Sequence, residues 1–334
     1  MSETFAKSVV VSDRVRLARN YHDLPFSAQK KPENALLCIS RARAALETLP
    51  QEYILHQLNS MPQVERLKLV ERHLISRDLL KNADIGAALI RSDRHVSIMV
   101  NEEDHLRIQA IGNGSSLAET AQQAFAAEEC LEEVCTFSFD PQLGYLTSCP
   151  TNTGTGMRAS LMMHLPMLTR YKQMGNVNQS IAKLGLTIRG IYGEGSEALG
   201  DLYQVSNQVT LGRTEEEIID AVTAVGKKMI DMELALRERA MKEKNAELTD
   251  SLWRSYALLA YARQMDEKEF MQHWSHLRLG VSMKLFSTPI TAVDELLTVA
   301  QSAHAQRYAE ETNPSFSTEQ ARCDLVRKTL QISL

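Results

Sequence analysis

Five arginines stand where the chain turns or where a strand is expected to end. They are Arg14 and Arg16 in Ser-Asp-Arg-Val-Arg, Arg107 in Asn-Glu-Glu-Asp-His-Leu-Arg, Arg158 after Thr-Gly-Thr-Gly-Met, and Arg189 before Gly-Ile-Tyr-Gly-Glu. Each alone reads as a surface residue. Gathered round one cleft they suit a polyphosphate, because a planar guanidinium fork grips phosphate oxygens bidentately and stays charged at any working pH. The segment Thr151-Asn152-Thr153-Gly154-Thr155-Gly156 is a glycine-rich turn that, opening a helix, would aim backbone N–H groups at an anion. It lacks the Walker spacing G-x-x-x-x-G-K-S/T, and no G-x-G-x-x-G occurs, so neither a P-loop nor a dinucleotide fold is supported.

Carboxylates supply the other half of a reaction. Glu102-Glu103 follows an expected strand, and Glu194 lies between Gly193 and Gly195. Such groups are ordinarily solvated turns. A guanidinium acceptor changes the weighing: with a pKa above ~12 it is protonated and non-nucleophilic. Two carboxylates can align it and take its proton as an N–P bond forms.

The elements that must carry these residues fall into two parts. Between about 9 and 211, extended and helical patterns alternate; after 214 the pattern is helical with short breaks. Strands are expected over 96–100, 144–147 and 186–191, and helices over 34–49, 117–134 and 158–167. Another helix opens on the capping-box pattern Thr214-Glu215-Glu216-Glu217. In it Ile218, Val222, Val225, Met229, Met232 and Leu236 form an apolar stripe for a core or a subunit contact. The charged stretch 237–250 reads as a solvated helix end with a new N-cap at Thr249-Asp250-Ser251. The expected division is therefore 1–248 and 249–334, the second part built on Trp253, Tyr256, Leu259, Trp274, Leu277, Leu285, Leu296 and Val299.

Composition narrows the class. The 334 residues are 44% hydrophobic and carry 37 Lys and Arg against 42 Asp and Glu, a net charge of −5. That balance gives no general attraction to nucleic acid or anionic membrane, so direct nucleic-acid binding is not expected and any anion site must be built locally. No signal-like or membrane-length apolar run appears, which makes the cytoplasm the expected location. Five cysteines without a C-x-x-C pair argue against a disulfide framework or a zinc site.

The strings SDRVRLARN, NEEDHLRIQ, GYLTSCPTNTGTGMRAS, LTIRGIYGEGSEA and YQVSNQVTLG resemble the phosphagen-kinase catalytic domain over about residues 9–240. RGIYGEGSEA and RASLMMHLP, with WRSYALLAYAR and HLRLGVSMKL further on, are similar to the bacterial protein-arginine kinase branch of that superfamily. Only about eight residues precede the first motif, which leaves no room for the N-terminal domain that selects small guanidines in phosphagen kinases. The resemblance implies an α+β fold, an antiparallel sheet flanked by helices, followed by an all-α C-terminal domain. It implies in-line transfer of the γ-phosphoryl of ATP to a protein arginine, with Mg2+ held by phosphates and water and no protein metal site.

Carried over position by position, Arg14, Arg16, Arg107, Arg158 and Arg189 become phosphate ligands. Nucleotide contact is implied along Ser12, Asp13, Arg14, Val15 and Arg16; along Arg158, Ala159, Ser160, Leu161 and Met162; and along Arg189, Gly190, Ile191, Tyr192, Gly193 and Glu194. Glu103 becomes the catalytic base and Glu194 the second carboxylate on the guanidinium. His73 is placed beside the nucleotide, against the alternative of a packed helix histidine. Cys149 is placed as a reactive cysteine near the acceptor, against that of an ordinary semi-buried thiol. The implied partners are protein substrates with accessible arginines, a Clp-type chaperone-protease, a zinc-binding activator and a second copy in a homodimer. One motif departs: the branch's Arg-Asp-x-x-Arg-Ala, tied to a regulatory phosphoarginine site, is here Thr318-Glu319-Gln320-Ala321-Arg322-Cys323. Ser317-Thr318-Glu319-Gln320 reads instead as a capping box. The remaining alternatives are a small-guanidino kinase and a catalytically silent arginine or phosphoarginine binder; having both arginines and glutamates disfavours the binder.

Overall fold

The computed structural model describes residues 6–26, 31–191 and 198–332. In Val10–Arg19, apolar Val15 and Leu17 alternate with Arg14 and Arg16, the period of a strand with unlike faces; the segment forms β1. The chain continues through α1 (Pro32–Leu46), β2 (Tyr53–Gln57), α2 (Gln63–Glu71), α3 (Arg77–Lys81), β3 (Ala87–Arg91), β4 (Val96–Val100), β5 (Leu106–Gly112) and α4 (Leu117–Val134). A hairpin of β6 (Phe139–Asp140) and β7 (Gly144–Tyr145) leads to β8 (Met157–His164), α5 (Pro166–Arg170), α6 (Met174–Ala182), β9 (Leu186–Gly190) and β10 (Leu202–Asn207). The rest is helical: α7 (Glu215–Lys242), α8 (Ala246–Tyr261), α9 (Glu267–Ser282), α10 (Ile290–Val299), α11 (Ser302–Thr312) and α12 (Thr318–Thr329).

Eight strands make one sheet in the order β2-β3-β4-β5-β1-β8-β10-β9, every pairing antiparallel. β1 lies inside it, opposite β5 on one side and β8 on the other. Residues facing each other across a ladder share a face, so register alone sorts the side chains. On one face Val15, Leu17, Ile108, Ala110, Ala159, Leu161 and Val205 join a core completed by Ala121 and Ala124 of α4 and by Val222 and Met229 of α7. On the opposite face an apolar cluster lies at the β3–β4 end, where Ala88, Ile90 and Met99 pack beneath Leu74, Ile75 and Leu79.

A second core lies among the C-terminal helices around Trp274, whose indole N–H donates to the Val293 carbonyl at 2.8 Å. It reaches into the sheet unit through Met167 and Leu202. The fold is therefore the expected α+β arrangement of an antiparallel sheet flanked by helices with a helical C-terminal region.

Several local expectations are corrected. Residues 158–167 are not a helix: Met157–His164 is strand β8, and only Pro166–Arg170 is helical. Its Ala, Leu and Met content favours helix locally, but pairing on both sides with β1 and β10 overrides that preference. The glycine-rich turn thus opens a strand and offers no helix N-terminus. The strand expected over 144–147 is confined to Gly144–Tyr145. The break after α7 falls earlier than the charge pattern indicates, with Asn245 capping α8 through its side chain at 2.9 Å. Trp253 is half exposed and does not belong to the core. The capping boxes at Thr214–Glu217 and Ser317–Gln320 both form.

Candidate active site

The parity of β1 puts Arg14 and Arg16 on the face away from α4 and α7. Opposite Arg14 stand Ile111 and Ser160; opposite Arg16 stand Gln109 and Arg158; opposite Ala18 stands Arg107. Arg189 reaches the same face through Gln204, which faces both Arg189 on β9 and Met162 on β8. All five arginines singled out in the sequence therefore share one sheet face. Arg19, the third arginine of SDRVRLARN, has the opposite parity and is consumed structurally: it is buried, donates to Glu128 at 2.5 Å and stacks over Tyr145 at 3.5 Å.

The electrostatics of this face are unbalanced. Burial, and then repulsion from Arg14, Arg107 and Arg158, pushes the Arg16 pKa well below its usual value. Its Nε is buried with no hydrogen-bond partner among the described residues. Arg158 is lowered too, by burial and by Arg189 and Arg107; its Nη2 donates to the Ser206 hydroxyl at 3.1 Å. Arg107 is held by Glu102, while Glu103 lies 3.6 Å away. Several cations facing too few anions, with one donor group orphaned, fit a polyanionic ligand and cost stability without one. The face borders a cavity of about 790 Å3 whose far wall is Gln301, Ser302 and Ala303 at the start of α11. A smaller recess beside it, lined by His73, Ile111, Met162 and Ile191 with Ser12 and Gln204 at its polar edge, has the mixed character of a base site.

His73 lies just past α2 with φ of 59°, a left-handed conformation that costs a non-glycine residue about 1–3 kcal/mol. Gln109 holds it there, donating to its carbonyl at 2.7 Å. Burial and the charges of Arg14 and Arg16 push the imidazole down to about 4, so the ring is neutral at pH 7 and adds no cation to the cluster.

The turn between β4 and β5 separates the two glutamates. Asn101 donates to the carbonyls of Ala35 and Ile85, each at 3.0 Å. Buried Glu102 accepts from Ser76 and Arg107. Asp104 accepts from Asn20 at 2.7 Å and from the Ser148 amide at 2.6 Å. His105 accepts from the Tyr21 amide at 3.1 Å. Glu103 alone among Asn101 to His105 points outward, its side chain 42% exposed. Partial burial, and next Asp104, raise its pKa above the ordinary glutamate value, against Arg107. Asp104 also ties this turn to the segment carrying Cys149, whose Sγ lies 3.0 Å from the Thr151 hydroxyl.

Of the remaining sequence candidates, Ser12, Ser160 and Met162 lie on the arginine face, whereas the side chains of Asp13, Val15, Ala159 and Leu161 face the helices. Asp13 is buried, accepts from the Gly114 amide at 2.7 Å, and has its pKa raised by burial. Gly190 and Ile191 end and follow β9; Tyr192, Gly193 and Glu194 lie outside the described residues. Among the described residues no cluster of three or more His, Cys, Asp or Glu is placed to hold a metal ion. Sequence reasoning passed over Gln109 and Ser206, which secure His73 and Arg158. Both sit inside quoted motifs; period-two counting from Arg107 reaches Gln109, whereas Ser206 lies on another strand and only the pairing of β10 with β8 brings it to Arg158.

An arginine-lined antiparallel sheet with an outward glutamate beside it defines the ATP:guanido phosphotransferases as the class, and residues 38–236 match that family's C-terminal catalytic domain. The chain belongs to the protein-arginine kinase family. Residues 245–333 match the C-terminal domain described for the protein-arginine kinase McsB. A protein-arginine kinase from Caldanaerobacter subterraneus subsp. tengcongensis is 43% identical over 315 residues, covering 93% of this chain and 94% of that protein. One from Pelotomaculum thermopropionicum is 41% identical, covering 96% and 92%. Among solved structures, lombricine kinase superposes with a TM-score of 0.63 at 25% identity, over 71% of this chain and 69% of that one. The substrate-free duplicated taurocyamine kinase from Schistosoma mansoni gives 0.62 at 28%, over 71% and 35%.

Proposed function

We propose that the chain transfers the γ-phosphoryl group of ATP to the guanidinium of arginine residues in proteins. The observation that carries this is the arginine face itself, with the orphaned Nε of Arg16 at its centre. Arg14, Arg16, Arg107, Arg158 and Arg189 hold and neutralise the phosphate chain, and the recess at His73 and Met162 takes the base. A divalent ion, Mg2+ by the chemistry of nucleotides, would ride on phosphate oxygens and water. Glu103 accepts a proton from the acceptor nitrogen as the N–P bond forms and the bond from phosphorus to the bridging oxygen breaks. Glu194 is the second carboxylate on the guanidinium, and Cys149 borders the acceptor. Asp13, Val15, Ala159 and Leu161 act by fixing strand position. The division at 248–249 belongs to the same proposal, as do a cytoplasmic location, a homodimer, a zinc-binding activator and delivery of marked clients to a Clp-type protease.

The choice of a protein acceptor rests on the similarity to protein-arginine kinases. The test incubates the protein with MgATP and casein or a basic protein, searches by mass spectrometry for acid-labile phosphoarginine, and compares kcat/KM with that for free L-arginine. Phosphoarginine on the protein and weak turnover of free arginine are expected. Preference for free arginine by about tenfold, or ~1.4 kcal/mol, would replace the reading with a small-guanidino kinase.

A further inference from the structure

We propose that Glu71 is a positioning residue for the nucleotide. Its carboxylate ties the His73 turn to the start of α11, so that the C-terminal helices complete the wall around ATP. This rests on the nucleotide reading of the arginine face.

Glu71 is the last residue of α2, two positions before His73. Its carboxylate accepts from the Ala303 amide at 2.6 Å, the His304 amide at 3.0 Å and His304 Nδ1 at 2.6 Å. Two N–H groups of the first turn of α11, which have no partner within their own helix, are thus satisfied by a side chain from the sheet unit. The carboxylate is largely buried, 15% exposed, so solvent screens it little. The receiving end is itself fixed: Arg322 donates to the carbonyls of Ala300 at 2.8 Å and Met265 at 2.7 Å, and to the Ser302 hydroxyl at 3.1 Å. The His73 turn is therefore clamped twice, to the sheet by Gln109 and to the helices by Glu71. A left-handed histidine persists only where its surroundings hold it. With Glu71 released, the turn can relax and the imidazole leaves the edge of the base recess.

The test measures MgATP binding by calorimetry, without a protein acceptor, for wild type, Glu71→Gln, His304→Ala, His73→Ala and Glu71→Gln/His73→Ala. A carboxamide in place of Glu71 sets an N–H group against the N–H donors of α11. Wild type should bind. Glu71→Gln should bind about tenfold to a hundredfold more weakly, the scale of a lost hydrogen bond to a charged group. Its kcat at saturating ATP should stay near wild type, and KM for the protein acceptor should not change. In the His73→Ala background the Glu71 change should add less than about twofold, because the two act as one unit. Unchanged ATP affinity in Glu71→Gln overturns the proposal while leaving the kinase reading intact, as does a loss of kcat and melting temperature without a change in Kd. Full additivity with His73→Ala overturns it too. If Glu71→Gln does not fold, His304→Ala decides: about two- to fivefold weaker ATP binding supports the role, by loss of one of three bonds, and unchanged binding ends it. Absence of ATP binding by wild type would overturn the nucleotide reading and this proposal together.

Discussion

Glu103 combines outward direction, partial burial, a neighbouring carboxylate and only a loose contact with Arg107 at 3.6 Å, the combination that the proposed base needs to stay available. Replacing it by Gln should lower kcat by about 10²–10⁴-fold while ATP affinity holds, because the arginines proposed to bind phosphate are untouched. Its raised pKa fixes the sign of a pH effect. Protonated Glu103 cannot accept the guanidinium proton, so kcat/KM should fall as pH drops through a value above the ordinary glutamate range. That acid limb should vanish in Glu103→Gln; its persistence there would move the base elsewhere. Arg16 makes the opposite wager. Its lowered pKa means the folded protein binds the proton less well than the unfolded chain, so at neutral pH the charge costs stability, a penalty relieved only as alkaline pH removes the proton. Arg16→Met should therefore raise the unfolding free energy of the nucleotide-free protein by about 0.5–2 kcal/mol and abolish tight ATP binding. A thermal melt and a binding titration on the same sample check both halves. Which arginines would converge was legible in the motifs. The choice of Glu103 over Glu102 came from the family resemblance alone, because two adjacent glutamates look alike until the partners Ser76 and Arg107, distant or across the turn, hold one of them.

At the scale of elements, the helices that announced themselves by caps and stripes formed as read: α4 over Leu117–Val134 and α7 from its Thr214 capping box. The error at β8 has a definite origin. Met157–His164 is buried on both faces for most of its length, so the alternation that marks a half-solvated strand is muted, and Ala, Leu and Met then read as helix. The preceding turn nevertheless carries a strand-specific demand. Gly154 has φ of 118°, exchanges backbone hydrogen bonds with Tyr145, and a Cβ there would sit 2.5 Å from the Thr210 carbonyl oxygen. Gly154→Ala should cost about 1–3 kcal/mol in denaturant unfolding and, by displacing the segment that carries Cys149, raise KM for the acceptor more than that for ATP. An Ala variant with wild-type stability would show that the turn has room the backbone does not reveal.

Across the whole molecule, the sheet unit and the C-terminal helices are joined by a buried polar knot that charge patterning hid, since it lies at the edge of the stretch read as a solvated helix end. Glu233 accepts from the amides of Met167 at 3.2 Å and Leu168 at 2.9 Å, and from Arg237 at 2.8 Å. Arg237 in turn donates to the carbonyls of Ser8 at 2.9 Å and His164 at 3.1 Å and to the Ser282 hydroxyl at 3.0 Å. Burial lowers the Arg237 pKa, opposed chiefly by Glu233. Remove the carboxylate and that opposition goes: the guanidinium is left buried beside Arg278, and two amides of α5 lose their acceptor. Glu233→Ala should therefore destabilise the protein by about 3–5 kcal/mol, far more than a surface glutamate on the same helix such as Glu238. Denaturant titrations of Glu233→Ala and Glu238→Ala at neutral pH compare the two directly. If both cost less than about 1 kcal/mol, the knot is solvated in solution and contributes little to joining the two cores.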